Sequence, residues 1–204
     1  NSVVGNYSVA TSIAISSMFL VAVVSQAFYP LVVRAKAISE QLFITRLIQL
    51  YSVTLWVAIF IGVLLSVSAS WFVPLLLGGE YGQAVPVIQV LSILGVFTSI
   101  TLVSSYWLLA EKLQRYSFYR NLLGVVANVM LNVMLIPEYG AIGAAIASIG
   151  ARAVATLGFF ILVPRLQNQI IYILKSFNLS VIFKKDLWEN LRGSDNGGKN
   201  SNLV

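Results

Sequence analysis

Charged residues cut this chain into long apolar runs. Residues 1–33 contain none, and neither do 47–79 or 81–110. A shorter run covers 121–137, and 139–164 is interrupted only by Arg152. A helix that crosses a bilayer needs about 20 apolar residues. The runs therefore predict five spans, at about 8–32, 49–76, 85–109, 117–136 and 141–163. Pro30, Pro74, Pro86, Pro137 and Pro164 fall near span ends, where a missing backbone donor disturbs least. Pro30 and Pro74 are placed to kink the last turns of their helices.

Beyond residue 164 the pattern changes. Leu166, Ile170, Ile173, Leu174, Phe177, Val181 and Trp188 recur at helical spacing among Lys and polar residues. This predicts an amphipathic helix over 165–191, lying in the inner membrane interface. Residues 192–204, rich in Gly, Ser and Asn, read as a disordered cytoplasmic tail. A weak repeat opens each inward-going helix: Gly5-Asn6-Tyr7-Ser8-Val9-Ala10, Gly79-Glu80-Tyr81-Gly82-Gln83-Ala84, and Tyr139-Gly140-Ala141 running to Ala145. Glycine permits a tight outer turn, tyrosine suits headgroup level, and alanine lets helices approach closely.

Composition agrees with the runs. Of 204 residues 58% are apolar and only 10% charged, against roughly 25% charged in a soluble domain. The chain has no His and no Cys. That excludes a Cys/His metal site, a thiol redox centre, disulfides and histidine-based catalysis. No cofactor and no metal are expected, and the net charge of +6 reads as loop charge rather than a nucleic-acid surface.

Loop charges predict the orientation. Segment 34–46 carries Arg34, Lys36 and Arg46 against Glu40, and 111–120 carries Lys112, Arg115 and Arg120 against Glu111. The tail adds Arg165, Lys175, Lys184, Lys185, Arg192 and Lys199. The alternate connections hold Glu80 and Glu138 and no cation. By the positive-inside rule the basic segments and the C-terminus are cytoplasmic and Asn1 lies outside, in the plasma (inner) membrane of a cell. An odd number of spans, with an external start that carries no signal peptide, predicts a fragment with helices upstream.

Arg152 is the residue of most chemical interest. It lies about 12 residues from either end of its span, where a charge costs roughly 2.5–3.5 kcal/mol to insert. It should face protein or a water-filled cavity, with a partner or an anionic ligand. Ala141, Ala145, Ser148, Arg152, Thr156 and Phe159 share one helical face. The preceding span carries Asn121, Asn128 and Asn132 as a stripe within about 40° of arc, with Gly124 beside it. Counting back from the connection around Glu138 puts Arg152 level with Val125. An arginine beside amides can bind phosphate or sugar hydroxyls; the same groups can also simply tie helices together. Arg34, Lys36, Lys112, Arg115 and Arg120 line the cytoplasmic mouth, as topology determinants beside anionic lipid or as a funnel for a phosphorylated substrate. Gln26 and Gln89 are minor candidates for cavity lining. No carboxylate lies within any span.

Several strings resemble a known family. Val4-Gly5-Asn6-Tyr7-Ser8-Val9-Ala10, Phe28-Tyr29-Pro30 and Leu76-Leu77-Gly78-Gly79-Glu80-Tyr81 are similar to the second half of polysaccharide and O-antigen flippases. The most specific string is Leu131-Asn132-Val133-Met134-Leu135-Ile136-Pro137-Glu138-Tyr139-Gly140-Ala141-Ile142-Gly143-Ala144-Ala145-Ile146-Ala147. These flippases belong to the multidrug/oligosaccharidyl-lipid/polysaccharide exporter superfamily, and the resemblance covers about residues 3–164. It implies the C-terminal lobe of an all-α integral membrane transporter: five transmembrane helices plus the cytoplasmic amphipathic helix, corresponding to helices eight to twelve. It further implies alternating access that carries an undecaprenyl-pyrophosphate-linked oligosaccharide, or polysaccharide repeat unit, from the cytoplasmic to the outer leaflet. The partners implied are that lipid-linked substrate, membrane lipids and an N-terminal lobe, with polysaccharide polymerase or assembly proteins as further candidates. Placing the cavity's cation at Arg152 is an inference from depth, since the family motif does not fix an arginine there.

Three other readings compete with this one. A multidrug or cation exporter predicts an acidic, aromatic-rich cavity, whereas this half has a buried arginine and no buried acid. A membrane glycosyl or phosphoglycosyl transferase needs paired carboxylates in a cytoplasmic loop, where only Glu40 and Glu111 occur; no enzyme activity is expected. A non-transporting membrane subunit would give no reason for an Arg/Asn stripe.

Overall fold

The computed structural model describes residues 2–178, and they are almost entirely helical, with no strand among them. Helix α1 covers Ser2–Ile38 and α2 covers Glu40–Leu77. Both run past the apolar segments that predict them. The basic stretch 34–46 is therefore not a loop but two helix ends meeting at one residue. Ser39, extended at φ −161°, breaks the helix, and its side chain accepts from the Leu42 N–H at 3.2 Å. This is an ordinary N-cap, and Glu40 in the first turn complements the helix dipole. At about 1.5 Å per residue, the 38 residues of α2 far exceed a hydrocarbon core of roughly 30 Å. Its first turns are packed in protein, with Phe43 and Leu47 fully buried.

The third apolar run forms α3 (Ala84–Leu91) and α4 (Leu94–Ala110), joined through Ser92 and Ile93 in near-helical geometry. Helix α4 ends in a Schellman turn: the Leu113 N–H donates to the Leu108 carbonyl at 2.7 Å and the Lys112 N–H to Leu109 at 3.1 Å. Lys112 takes the left-handed position of that turn, at φ 58°.

Helix α5 covers Gln114–Ala153 but reverses at Gly140, whose φ of 56° and ψ of −129° break the helical path. Glycine populates that region without a Cβ clash. Three close approaches give the register of the two limbs. A Cβ on Gly143 would overlap the Leu135 carbonyl; one on Gly150 would sit 3.0 Å from Leu131 Cδ1, and one on Gly124 3.0 Å from Ala155 Cβ. The limbs therefore run antiparallel, with their turn at Gly140 rather than at Glu138. The return limb passes through a π-helical turn, Val154–Gly158, into α6 (Phe159–Leu162). A short helix α7 (Asn168–Ser176) follows.

Among the described residues four helices are long and apolar enough to cross a membrane: Gly5–Ile38, Glu40–Leu77, Ala84–Ala110 and Gln114–Leu162, the last containing the reversal. They leave large apolar side chains exposed, including Phe19, Phe60, Val67, Trp71, Val133 and Met134, as an all-helical membrane protein does toward lipid. Two cores hold the helices together. One is built of small and medium side chains, among them Ala10, Ala14, Ala69, Val73, Ala84 and Ala145. The other is bulkier, with Phe43, Leu47, Tyr51, Leu55, Leu108, Phe159 and Phe160.

Helix α7 covers only part of the predicted amphipathic element. It buries Gln169, Ile173 and Ser176 and exposes Ile171, Leu174 and Phe177. Two bonds dock it on α2: Tyr51 Oη donates to Gln169 Oε1 at 2.7 Å, and Ser52 Oγ to the Ser176 carbonyl at 2.8 Å. Residues 179–191 of that element, Val181 and Trp188 included, and the tail over 192–204 lie outside the described residues. Of the three repeats, Gly5–Ala10 falls inside α1 and only the other two sit at turns.

Candidate functional site

A cavity of about 580 Å³ opens between α1, the α3–α4 junction and both limbs of α5. Each helix contributes one face at three- and four-residue spacing. Helix α1 supplies Tyr7, Thr11, Ala14 and Met18; the outgoing limb of α5 supplies Asn121, Gly124 and Asn128; the return limb supplies Ser148, Ala151, Arg152 and Ala155. Leu91 and Leu94 close the side formed by α3 and α4.

Arg152 is exposed on this wall. Its guanidinium has no hydrogen-bond or ion-pair partner among the described residues, so five N–H donors remain available. With Gly124 against Ala155 and Gly150 near Leu131, Arg152 lies opposite the turn that contains Asn128, about one turn nearer the Gly140 reversal than Val125. The π-helical turn begins two residues beyond it. There Thr156 is fully buried, 3.0 Å from Thr101 Oγ1 on α4. The wider turn thus falls between Arg152 on the cavity wall and Thr156 in the helix packing, and π-turns are frequent at functional sites.

The amides on the opposite limb are not equivalent. Asn121 and Asn128 line the cavity, whereas Asn132 does not. Asn132 Nδ2 donates to Asn128 Oδ1 at 2.9 Å. Two of the hydroxyls on the wall are committed to their own helices, Thr11 to the Tyr7 carbonyl at 2.8 Å and Ser148 to the Ala144 carbonyl at 2.9 Å. Their oxygens can still accept. No Asp or Glu lines the cavity. The wall is thus rich in donors, and such a surface suits a ligand rich in acceptors. Gln26 and Gln89 are not among the lining residues; Gln89 Nε2 donates to the Ser66 carbonyl on α2 at 3.3 Å.

The five cations expected at the mouth divide. Arg34, Lys112 and Arg115 are exposed, with Arg115 lying 5.4 Å from the Tyr116 ring centroid. Lys36 bridges Glu40 and Glu111 and sits 4.5 Å above the Phe43 ring, tying α1 to the start of α2 and the end of α4. Beside this cluster, burial together with the Glu40 and Glu111 carboxylates pushes the Tyr172 phenol up. Arg120 departs from the expectation. It is only 2% exposed and heads the largest fully buried side chains. Its Nη1 donates to Ser104 at 2.7 Å and its Nη2 to Ser105 at 2.8 Å. The reason is depth and rotation: α5 starts at Gln114, so Arg120 is nearly two turns inside the helix, on the face toward α4.

Sequence reasoning also missed Arg46, which is buried beside Gln49 at 2.9 Å instead of exposed in a loop. It missed the α1 wall of the cavity as well. The signal was present: Tyr7, Thr11, Ala14 and Met18 fall on one helical face. Scans against protein-family models, curated proteins and solved structures each match nothing to this chain.

Proposed function

We propose that this chain is one lobe of a membrane transporter that moves a lipid-linked, pyrophosphate-bearing oligosaccharide from the cytoplasmic to the outer leaflet. The observation that carries the reading is Arg152: a guanidinium deep in an apolar helix, with no protein partner among the described residues, on a cavity wall shared with Asn121 and Asn128 and free of carboxylates. A charge in that position is costly unless it has a function, and phosphate oxygens are matched to its donors. The volume falls within the usual range for a ligand site, roughly 300–1,000 Å³, and its openness leaves room for a glycan to extend.

In this reading the reversal at Gly140 makes two crossings of Gln114–Leu162, so the chain crosses five times. The basic ends around Arg34, Lys112, Arg115 and α7 face the cytoplasm, where they concentrate an anionic substrate. Export of phosphate charges from a negative interior gains about 2.3 kcal/mol per charge per 100 mV, so the membrane potential favours the outward direction. The resemblance of 131–147 and the other strings to O-antigen and polysaccharide flippases supports the choice of substrate. A cation exporter fits less well, because a donor-rich wall repels a cation. The test is the leaflet in which lipid-linked glycan accumulates when the gene is deleted and then restored. Accumulation on the cytoplasmic leaflet, relieved by restoration, is expected. An unchanged distribution, with altered sensitivity to cationic drugs, would transfer the protein to the exporter class.

A further inference from the structure

Asn132 has a position that helix gluing does not explain. It lies one turn from Asn128 on the same limb, and its hydrogen bond runs within α5 rather than to a neighbouring helix. It does not line the cavity, and its own Oδ1 is buried without a partner. A side-chain amide has an acceptor end and a donor end. Asn132 Nδ2 occupies the acceptor end of Asn128. What Asn128 has left is its NH2 group, which donates to no described group and is not among the buried unpaired atoms.

Turning both amides over would reverse this. Asn128 would then donate to Asn132 and keep its carbonyl as its free end, leaving the Asn132 NH2 buried and unpaired. An orphaned donor is rarer in proteins than an under-used carbonyl, which favours the arrangement observed.

We propose that Asn132 is a positioning residue that holds the Asn128 amide with its NH2 toward the cavity, so that Asn128 and Arg152 together form a donor-only clamp for phosphate oxygens. The clamp selects an oxyanion and refuses a ligand that presents N–H donors of its own. This rests on the transporter reading above, and it adds a residue that acts through another without touching the ligand.

The experiment is a double-mutant cycle on inorganic pyrophosphate binding to the purified full-length gene product in lipid nanodiscs. The proteins are wild type, Arg152→Ala, Asn128→Ala, Asn132→Leu and the Asn128→Ala/Asn132→Leu pair. Leucine matches the amide in shape and suits a membrane helix; Asn132→Ala replaces it in the cycle if the leucine protein does not fold. Arg152→Ala is expected to weaken binding at least about tenfold, and Asn132→Leu about fivefold, with no further loss once Asn128 is alanine. If Arg152→Ala binds as tightly as wild type, the transporter reading itself fails. If Arg152→Ala is weakened but Asn132→Leu is not, the positioning role is overturned. It is equally overturned if the Asn132→Leu loss persists in the Asn128→Ala background, because the residue would then act through packing.

Discussion

Arg120 and Arg152 carry the same charge on the two limbs of one helical hairpin, in opposite circumstances. Arg120 is fully enclosed and bonded to Ser104 and Ser105 on α4, near Tyr51 and through it the docking of α7. Arg152 is open to a cavity and bonded to no described group. A guanidinium enclosed by hydroxyls and aromatics is part of how helices adhere. One held at similar cost on a cavity wall, with its donors unused, is available to a ligand. Depth in an apolar segment therefore does not identify a functional charge by itself; what the charge already touches decides.

Substitutions can break this contrast. Arg120→Ala should have the largest effect on stability, about 2–4 kcal/mol, because it empties a well-packed site and removes the two bonds that tie α5 to Ser104 and Ser105. Thermal unfolding in detergent would show it as a lowered midpoint. Arg152→Ala should leave that midpoint within the change expected of an exposed residue, about 0.5 kcal/mol. A midpoint drop as large as that of Arg120→Ala would erase the distinction between the two arginines. Gly124→Val should come next. The bulk of valine must push against Ala155, where even a Cβ lies 3.0 Å away, separating the limbs that carry Asn128 and Arg152; pyrophosphate affinity should fall about threefold. The smallest effect is a gain. Lys112→Gly should stabilise by about 0.5–1 kcal/mol, since Lys112 holds the left-handed position that glycine adopts without strain. Equal or lower stability would show that the lysine side chain makes up the difference.

Much of the fold is legible in the order of residues. Charge-free runs mark the apolar helices, and Gly140 beside Pro137 marks a reversal. Helix ends are not legible in the same way. Hydropathy reports where a helix meets lipid, while Lys36, Glu40, Gln41 and Arg46 are adequate helix formers that carry α1 and α2 well past it. Only Ser39 interrupts them, through its cap. The cavity was partly legible, because the Asn stripe and Arg152 share a hairpin whose register can be counted. Arg120 was not, since a charge at the edge of an apolar run reads as a mouth residue unless the rotation of its helix is known. The adjacent hydroxyls of Ser104 and Ser105 in a largely apolar helix were the available sign.

In the proposed function, the free guanidinium of Arg152 is what the substrate's phosphates bind during export. The most direct test is the leaflet distribution of lipid-linked glycan in cells whose only copy is Arg152→Ala or Arg152→Lys, at matched protein abundance in the membrane. Inner-leaflet accumulation equal to that of the deletion is expected for the alanine protein, and partial relief for the lysine protein. Wild-type distribution in Arg152→Ala cells would contradict it.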